Sequence, residues 1–229
     1  MSEFEYEPVP GLPGHLPDGE KLLWQGAPQW GALAVRAFHV RTVAVYFGLL
    51  IVFRIGYVLA AGESVKVALL SGLWLLLLCL MAVGILALMA WAFARSTIYS
   101  ITDRRVVIRF GVAVPMAVNI PFKAVVSAGL RRYANGVGDI PMVLGDGHSV
   151  NFLIMWPNVR PWRFFDAQPM LRCVPDVDKA ADILAEALRA ATAEEQMEKA
   201  GEGDPASGTA AEDGGGHAPP LNAAQAAGR

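Results

Sequence analysis

The sequence predicts an α+β membrane protein, in which a two-helix transmembrane hairpin precedes an antiparallel β-sandwich or barrel closed by a C-terminal helix. Two observations predict this class. Only 17% of the 229 residues are charged, against roughly 25% in a typical soluble domain, and the deficit lies between Thr42 and Ala94. Beyond Arg95 the apolar residues change from a helical period to alternation, which is typical of half-buried strands.

Two apolar runs are each long enough to cross a bilayer, for which about 20 residues suffice. Residues 42–61 contain a single charge and residues 67–94 contain none. As a helix, the second run would be ~42 Å long, so we expect it to tilt or to project beyond the bilayer. The connection between the runs, residues 62–66, carries one acid and one base.

The flanks of these runs set the predicted orientation. Basic residues precede the first run and follow the second, at Arg36, Arg41, Arg95, Arg104 and Arg105. The positive-inside rule therefore predicts that both termini are cytoplasmic, with residues 1–41 as a cytoplasmic N-terminal segment. We expect Arg95, Arg104 and Arg105 to face the anionic lipid of the inner leaflet.

Small residues recur at helical spacing along the first run, at Ala44, Gly48, Gly56 and Ala60. Because small residues let membrane helices approach closely, this ridge predicts the packing contact within the hairpin. A homodimer seam is the alternative.

Arg54 is the single charge within the first run and is predicted to lie on the side of the helix opposite that ridge. An arginine inside a membrane is costly, so it predicts pairing with a membrane helix of a partner. The alternative is that its long side chain reaches the nearby outer interface.

The predicted β domain spans residues 95–192. Alternating apolar segments separated by turn signals predict strands at residues 97–101, 105–110, 116–120, 124–130, 140–144 and 150–156. A closing helix is predicted after Asp176, a good N-cap, with an apolar stripe from Val177 to Leu188. Residues 193–229 lack any periodicity and predict a disordered acidic tail.

Two groups of motifs resemble known families. LPDGE at residues 16–20 and LLWQGAP at residues 22–28 resemble the opening motif of bacterial PH-like membrane proteins, and residues 99–109 resemble the first hairpin of their PH-like domain. Segments within residues 132–141 and 156–176 are similar to PuhB-type photosynthetic complex assembly proteins of purple phototrophic bacteria.

The resemblance implies a PH-like fold for residues 95–192 and a location in the bacterial inner membrane. It implies a transient role in building the photosynthetic reaction centre and its surrounding light-harvesting antenna, whose polypeptides would be the partners. It implies no enzyme activity, no catalytic residue and no cofactor. His39 is typical of an interfacial helix flank, with ligation of a bacteriochlorophyll magnesium as the alternative.

The residues agree with a non-enzymatic protein. No glycine-rich phosphate loop follows a strand, and no Cys or His pair has metal-site spacing. Residues 95–172 carry ten basic and four acidic side chains, a net charge of +6. For a domain tethered to a membrane, the anionic leaflet is a nearer polyanion than nucleic acid, so we expect lipid contact and no nucleic-acid partner.

Residues 152–172 combine aromatic, methionine and arginine side chains, the types enriched at protein interfaces. We predict that Arg160, Trp162, Arg163 and Arg172 belong to a partner-docking surface. The alternative is that the aromatic side chains are core and the arginines a solvated rim. Two other functions stay open: a membrane-anchored lipid-binding adaptor without a photosynthetic role, and an accessory subunit of a transporter or channel that uses Arg54.

Overall fold

The computed structural model describes Leu12 and residues 16–133, 135–145 and 147–202. Within these residues the helices are α1 (Trp30–Arg36), α2 (Val40–Ala60), α3 (Val65–Ser96), α4 (Phe152–Met155) and α5 (Val177–Glu202). The strands are β1 (Leu22–Gly26), β2 (Ile98–Thr102), β3 (Arg105–Phe110), β4 (Met116–Pro121), β5 (Val125–Ala128), β6 (Arg131–Arg132), β7 (Gly138–Leu144) and β8 (Met170–Val174). All contacts described below lie within the compact unit that ends at Ala193.

The first sheet is antiparallel, in the order β1-β2-β3-β4. Its edge strand β1 lies before the two long helices in sequence and pairs with β2 after them, with Leu22 opposite Thr102 and Gly26 opposite Tyr99. The long helices are therefore an insertion between two neighbouring strands. The prediction of a separate segment at residues 1–41 is wrong in this respect, because β1 belongs to the β domain.

The second sheet is built around β7, which pairs with β5 and β6 along one edge and with β8 along the other. Side chains of both sheets form the main core, which includes Tyr99, Ile101, Ile108 and Leu171. Helix α5 begins directly after Asp176, as predicted, and its apolar stripe packs into this core. The expected antiparallel sheets and closing helix are confirmed.

Two details of the prediction are wrong in the C-terminal part of the domain. Residues 152–155 form helix α4 instead of a strand, because the Asn151 side chain caps it by accepting hydrogen bonds from the amides of Leu153 and Ile154. Helix α5 continues past Ala193 to Glu202, where disorder was expected. No glycine or proline interrupts residues 193–200, and alanine and glutamate are strong helix formers. Residues 203–229 of the predicted tail lie outside the described residues.

The packing face of the long helices differs from the predicted one. Helices α2 and α3 contact each other at Gly72 of α3, where a Cβ atom would lie 2.9 Å from Cδ1 of Ile55. By contrast, Cβ atoms added at Gly48 and Gly56 would meet nothing within 4 Å. Ala44 and Ala60 are exposed as well. The small-residue ridge is therefore not the contact within the hairpin, because the small residue that permits close approach stands on α3 and the bulky ones on α2.

Arg54 lies one turn before Val58, which is buried in α2. It therefore stands on the packed side of the helix, and the prediction that it points away from the hairpin contact is wrong. Its side chain is nonetheless exposed, and it makes no ion pair with any other described residue.

Helices α2 and α3 are long and apolar enough to cross a membrane by length and composition. Only 6% of the most apolar window of each is buried, whereas the core helix of a soluble domain is mostly buried. Their outward surface carries large apolar side chains such as Leu49, Phe53, Trp74 and Leu88.

Helix α1 joins this hairpin to the β domain. Leu33 and Phe38 pack with Ala90 and Ala94 of α3 and with Cys173 of β8 in a second buried cluster. The amide of Gln29, just before α1, also donates to the carbonyl of Cys173 at 2.8 Å. The base of the hairpin is therefore fixed to the second sheet by packing and by a backbone hydrogen bond.

Candidate functional site

The most exposed apolar side chains of the β domain lie on one segment, residues 152–165, which we term the aromatic loop. Leu153 is 82%, Trp162 87% and Phe165 105% exposed relative to an extended reference. Phe164 is also exposed, although its ring lies 4.6 Å from that of Phe152. Exposed apolar patches of this kind are typical of interaction sites.

Hydrogen bonds hold the outer part of the aromatic loop in place. The Arg160 amide donates to the Gln168 carbonyl at 2.9 Å, and its Nη1 donates to Oε1 of the same residue at 3.0 Å. Arg163 pairs with Asp166 at 3.0 Å. Three of the four predicted docking residues therefore lie together on an exposed loop that hydrogen bonds hold in place: Arg160, Trp162 and Arg163.

The inner part of the aromatic loop contacts the base of the hairpin. Trp156 packs edge-on against Phe38, which precedes α2, with ring centroids 5.2 Å apart. It packs likewise against Phe93 near the end of α3, at 5.9 Å. Trp156 therefore places the inner part of the aromatic loop beside the ends of both apolar helices.

Arg172 does not belong to the exposed surface, so the prediction that it forms part of the docking surface is wrong. Its side chain is buried, with Nη1 donating to the Pro157 carbonyl and Nη2 to the Arg36 carbonyl, each at 3.0 Å. It joins the aromatic loop, helix α1 and strand β8. Its Nε has no hydrogen-bond partner within the described part of the chain.

Arg172 also lines a cavity of about 860 Å³ between α1, the second sheet and the aromatic loop. Three further arginines line it, Arg36, Arg131 and Arg160, together with His39. We term this space the basic cavity. The aromatic rings of Tyr133, Phe152, Trp156, Trp162 and Phe164 form part of its wall.

The one carboxylate among the described lining residues, Asp139, already has two partners. It accepts hydrogen bonds from the Tyr133 hydroxyl and, at 2.8 Å, from the Cys173 amide. Burial and the hydrogen bond to Asp139 raise the pKa of Tyr133 to about 12, so this phenol is neutral at physiological pH. The Arg36 guanidinium lies 3.4 Å from the centroid of the Tyr133 ring, and that of Arg131 lies 5.6 Å from it.

Cys173 borders the same region but is not a nucleophile. Burial, with a further contribution from Asp139, raises the pKa of its thiol to about 12. Thiolate is the reactive form of cysteine, so a protonated and fully buried thiol is inert.

Comparison with known proteins agrees with this fold. The family model described as "Bacterial PH domain" matches residues 35–188. The chain belongs to the bacterial PH domain family. A Rhodobacter capsulatus protein named "Uncharacterized 23.7 kDa protein in puhA 5'region" is 35% identical over 197 residues, which cover 85% of this chain and 92% of the relative. No solved structure matches.

In this bacterial PH domain, two of the three arginines predicted to face lipid lie far from the hairpin. Strand β2 starts just after α3, and at about 3.3 Å per residue its five residues carry the following turn, with Arg104 and Arg105, ~15 Å away. Arg105 is also paired with Glu20 at 2.9 Å. The fold therefore does not support the prediction for these two, and their contact with lipid stays a prediction. Arg95 stays at the end of α3, 6.0 Å from the centroid of the Trp91 ring.

The sequence did not predict the basic cavity. Arg36, Arg131 and Tyr133 were not selected as site residues, because they come from segments that only the fold brings together. The one local signal was the pair of arginines before Tyr133, which lies beside the turn at Gly136.

Proposed function

We propose that this bacterial PH domain protein is a membrane-anchored, non-enzymatic assembly factor for the photosynthetic reaction centre and its surrounding antenna. Helices α2 and α3 cross the inner membrane, both termini are cytoplasmic, and the β domain binds partner polypeptides transiently at that face. The resemblance to PuhB-type proteins supports this role. The Rhodobacter capsulatus relative supports it further, since its name refers to the puhA 5' region of a photosynthetic bacterium.

The observation that carries the proposal is the position of the aromatic loop. Trp162 and Phe165 are exposed while Trp156, in the same loop, packs on Phe38 and Phe93 at the hairpin base. A partner that is itself a membrane protein would meet this loop where its own helices leave the bilayer. Exposed tryptophan flanked by arginine is the composition typical of binding hot spots.

Membrane insertion is supported by the surface of the hairpin. The outward side chains of α2 and α3 are apolar over most of their length, and burying such a surface in lipid is worth roughly 25 cal/mol per Å². Basic residues flank the two ends that join the β domain, which favours a cytoplasmic location for that domain.

The outward ridge at Ala44, Gly48, Gly56 and Ala60 supports contact with a further membrane helix. Since it does not pack on α3, it is free to accept a helix from an assembly partner or from a second copy of the chain. We favour the partner, with a homodimer as the alternative.

The proposal is tested by purifying the tagged protein in mild detergent from cells that are building photosystems. We expect reaction-centre or antenna polypeptides to co-purify at substoichiometric levels. A Trp162→Ser/Phe165→Ser variant should lose them while its own membrane level is unchanged. Val112→Ser/Val114→Ser is the matched control, because both valines are exposed on another loop of the same domain. Equal loss in both variants, or loss of the protein itself, would contradict a docking role for the aromatic loop.

The second candidate is a membrane-anchored lipid-binding adaptor without a photosynthetic role. The basic cavity favours it, since several of its arginines form no ion pair with a carboxylate of the described residues. A colourless preparation that contains only this protein and lipid, from cells that are building photosystems, would favour the adaptor over the assembly factor.

A further inference from the structure

The basic cavity has a charge that the described residues do not balance. Four arginines line it against Asp139 alone, a formal excess of three positive charges with His39 neutral. Arg36 and Arg131 stack on the Tyr133 ring, and neither forms an ion pair with a described carboxylate. Guanidinium groups brought together in this way repel one another, so an anion in the cavity would be bound favourably.

Arg172 is the most informative member of the cluster. Burying a charge is costly unless the group is paired and hydrogen-bonded. Two of its nitrogens donate to backbone carbonyls, which satisfies hydrogen bonds without supplying a negative charge. Its Nε is buried and has no partner among the described residues, so the hydrogen bonds of this buried, charged side chain are incomplete.

The start of α2 adds to the positive potential. His39 lines the cavity, and its side chain does not cap the first amides of the 21-residue helix that follows. The N-terminal end of a helix carries about half a positive charge and binds anions through its free amides.

We infer that the basic cavity binds a phosphate ester, and that the headgroup of an anionic membrane lipid supplies it. Arginine forks match the oxygens of a phosphate group bidentately, and several of them together are typical of phosphate sites. A volume of about 860 Å³ exceeds what a bare phosphate needs, and the aromatic wall suits the glycerol and the first carbons of an acyl chain.

The position of the cavity favours lipid over a soluble phosphate ester. It is bordered by Val35–His39, the segment that leads into α2, and by Trp156, which packs on the ends of the hairpin. If α2 and α3 cross the membrane as proposed above, this level is that of the lipid phosphates. The inference depends on that insertion and not on the photosynthetic role.

The test measures the thermal unfolding midpoint of the delipidated protein in detergent. Three additions are compared: phosphatidylglycerol, phosphatidylcholine with the same chains, and glycerol 3-phosphate. We expect a saturable rise with phosphatidylglycerol alone. An Arg36→Gln/Arg131→Gln variant should need about a hundredfold more of this lipid, roughly tenfold for each guanidinium lost. Lys21→Gln/Arg104→Gln is the matched control, with the same charge removed at the far end of the first sheet, and should behave as the unmodified protein.

Because the Arg36 guanidinium lies 3.4 Å from the centroid of the Tyr133 ring, against 5.6 Å for that of Arg131, Arg131→Gln alone serves if the double variant does not fold, with an expected change of about tenfold. If glycerol 3-phosphate raises the unfolding midpoint to the same extent and saturably, and the variants lose this effect, the cavity binds a phosphate ester whose source is soluble and not a lipid. An equal rise with phosphatidylcholine, no saturable rise, or a rise unchanged in the arginine variants would overturn the inference. Co-purification of photosynthetic polypeptides in the same variants reports separately on the proposed function.

Discussion

Glu20 and Arg105 form a bidentate ion pair, in which Nε and Nη2 of the arginine each lie 2.9 Å from a carboxylate oxygen. The Glu20 side chain is 2% exposed and that of Arg105 27%. The pair joins the chain before β1 to the start of β3, although both long helices lie between them in sequence. It therefore stabilises the one strand of the first sheet that is remote in sequence from the others.

We expect Glu20→Gln to destabilise the β domain by ~1–3 kcal/mol, because it leaves a half-buried guanidinium without its carboxylate. The measurement is the midpoint of unfolding in detergent. Asp178→Asn is the control, since it removes the exposed Arg132–Asp178 pair, which should be worth at most ~1 kcal/mol. Equal effects of the two substitutions would show that the buried position of the Glu20–Arg105 pair adds nothing to the stability of the domain.

The position of β1 shows what the sequence could and could not predict. The two apolar runs and the stripe of α5 are local patterns, so their existence and type could be predicted from short windows. Strand β1 has a pairing partner more than seventy residues away, and five residues of alternation do not identify it. For the same reason, LLWQGAP was recognised as a motif but not as an edge strand.

The candidate site divides in a similar way. Trp162 and Arg163 are exposed, as a docking surface requires, while their role in docking stays a prediction. Arg172 lies in a sequence segment of similar composition, but its side chain is buried and donates hydrogen bonds to the carbonyls of Pro157 and Arg36. Only the fold brings those carbonyls together, and no sequence pattern predicts that an arginine will be used as an internal crosslink.

Gly72 is the close-contact position of the hairpin. We expect Gly72→Leu to destabilise packing of α2 on α3 by ~1–3 kcal/mol, since its side chain would overlap Ile55. Gly56→Leu is the matched control on the outward ridge, where a Cβ atom meets nothing within 4 Å. Thermal unfolding in detergent should distinguish them. A Gly56→Leu variant that folds normally but loses its partners would support the ridge as an intermolecular contact.

Arg54 is exposed and lies two turns from the outer end of α2. We expect Arg54→Leu to leave the yield of assembled photosynthetic complex unchanged, because the side chain can reach the interface without a partner. The yield is measured from the membrane absorption of phototrophically grown cells. A large fall in yield, with the protein itself still present in the membrane, would instead indicate pairing with a partner's membrane helix.

The raised pKa values of Cys173 and Tyr133 predict how the free energy of unfolding changes at alkaline pH. Their folded pKa values are both about 12, against ordinary values of 9.0 and 10.0, so the folded protein holds both protons more tightly than the unfolded chain does. The contribution of these two neutral groups to the free energy of unfolding is therefore fully present below pH 9 and is lost progressively between pH 9 and 12.

The thiol contributes at most about 1.4 kcal/mol per pH unit to this decline, and Cys173→Ala should flatten it. Unfolding midpoints recorded across that pH range measure the effect. Maleimide labelling in a Cys79→Ala background gives an independent check, because Cys173 should react only as the protein unfolds. Labelling of the folded protein at the rate of the unfolded chain would show that the thiol is accessible and that the junction between α1 and β8 opens under native conditions.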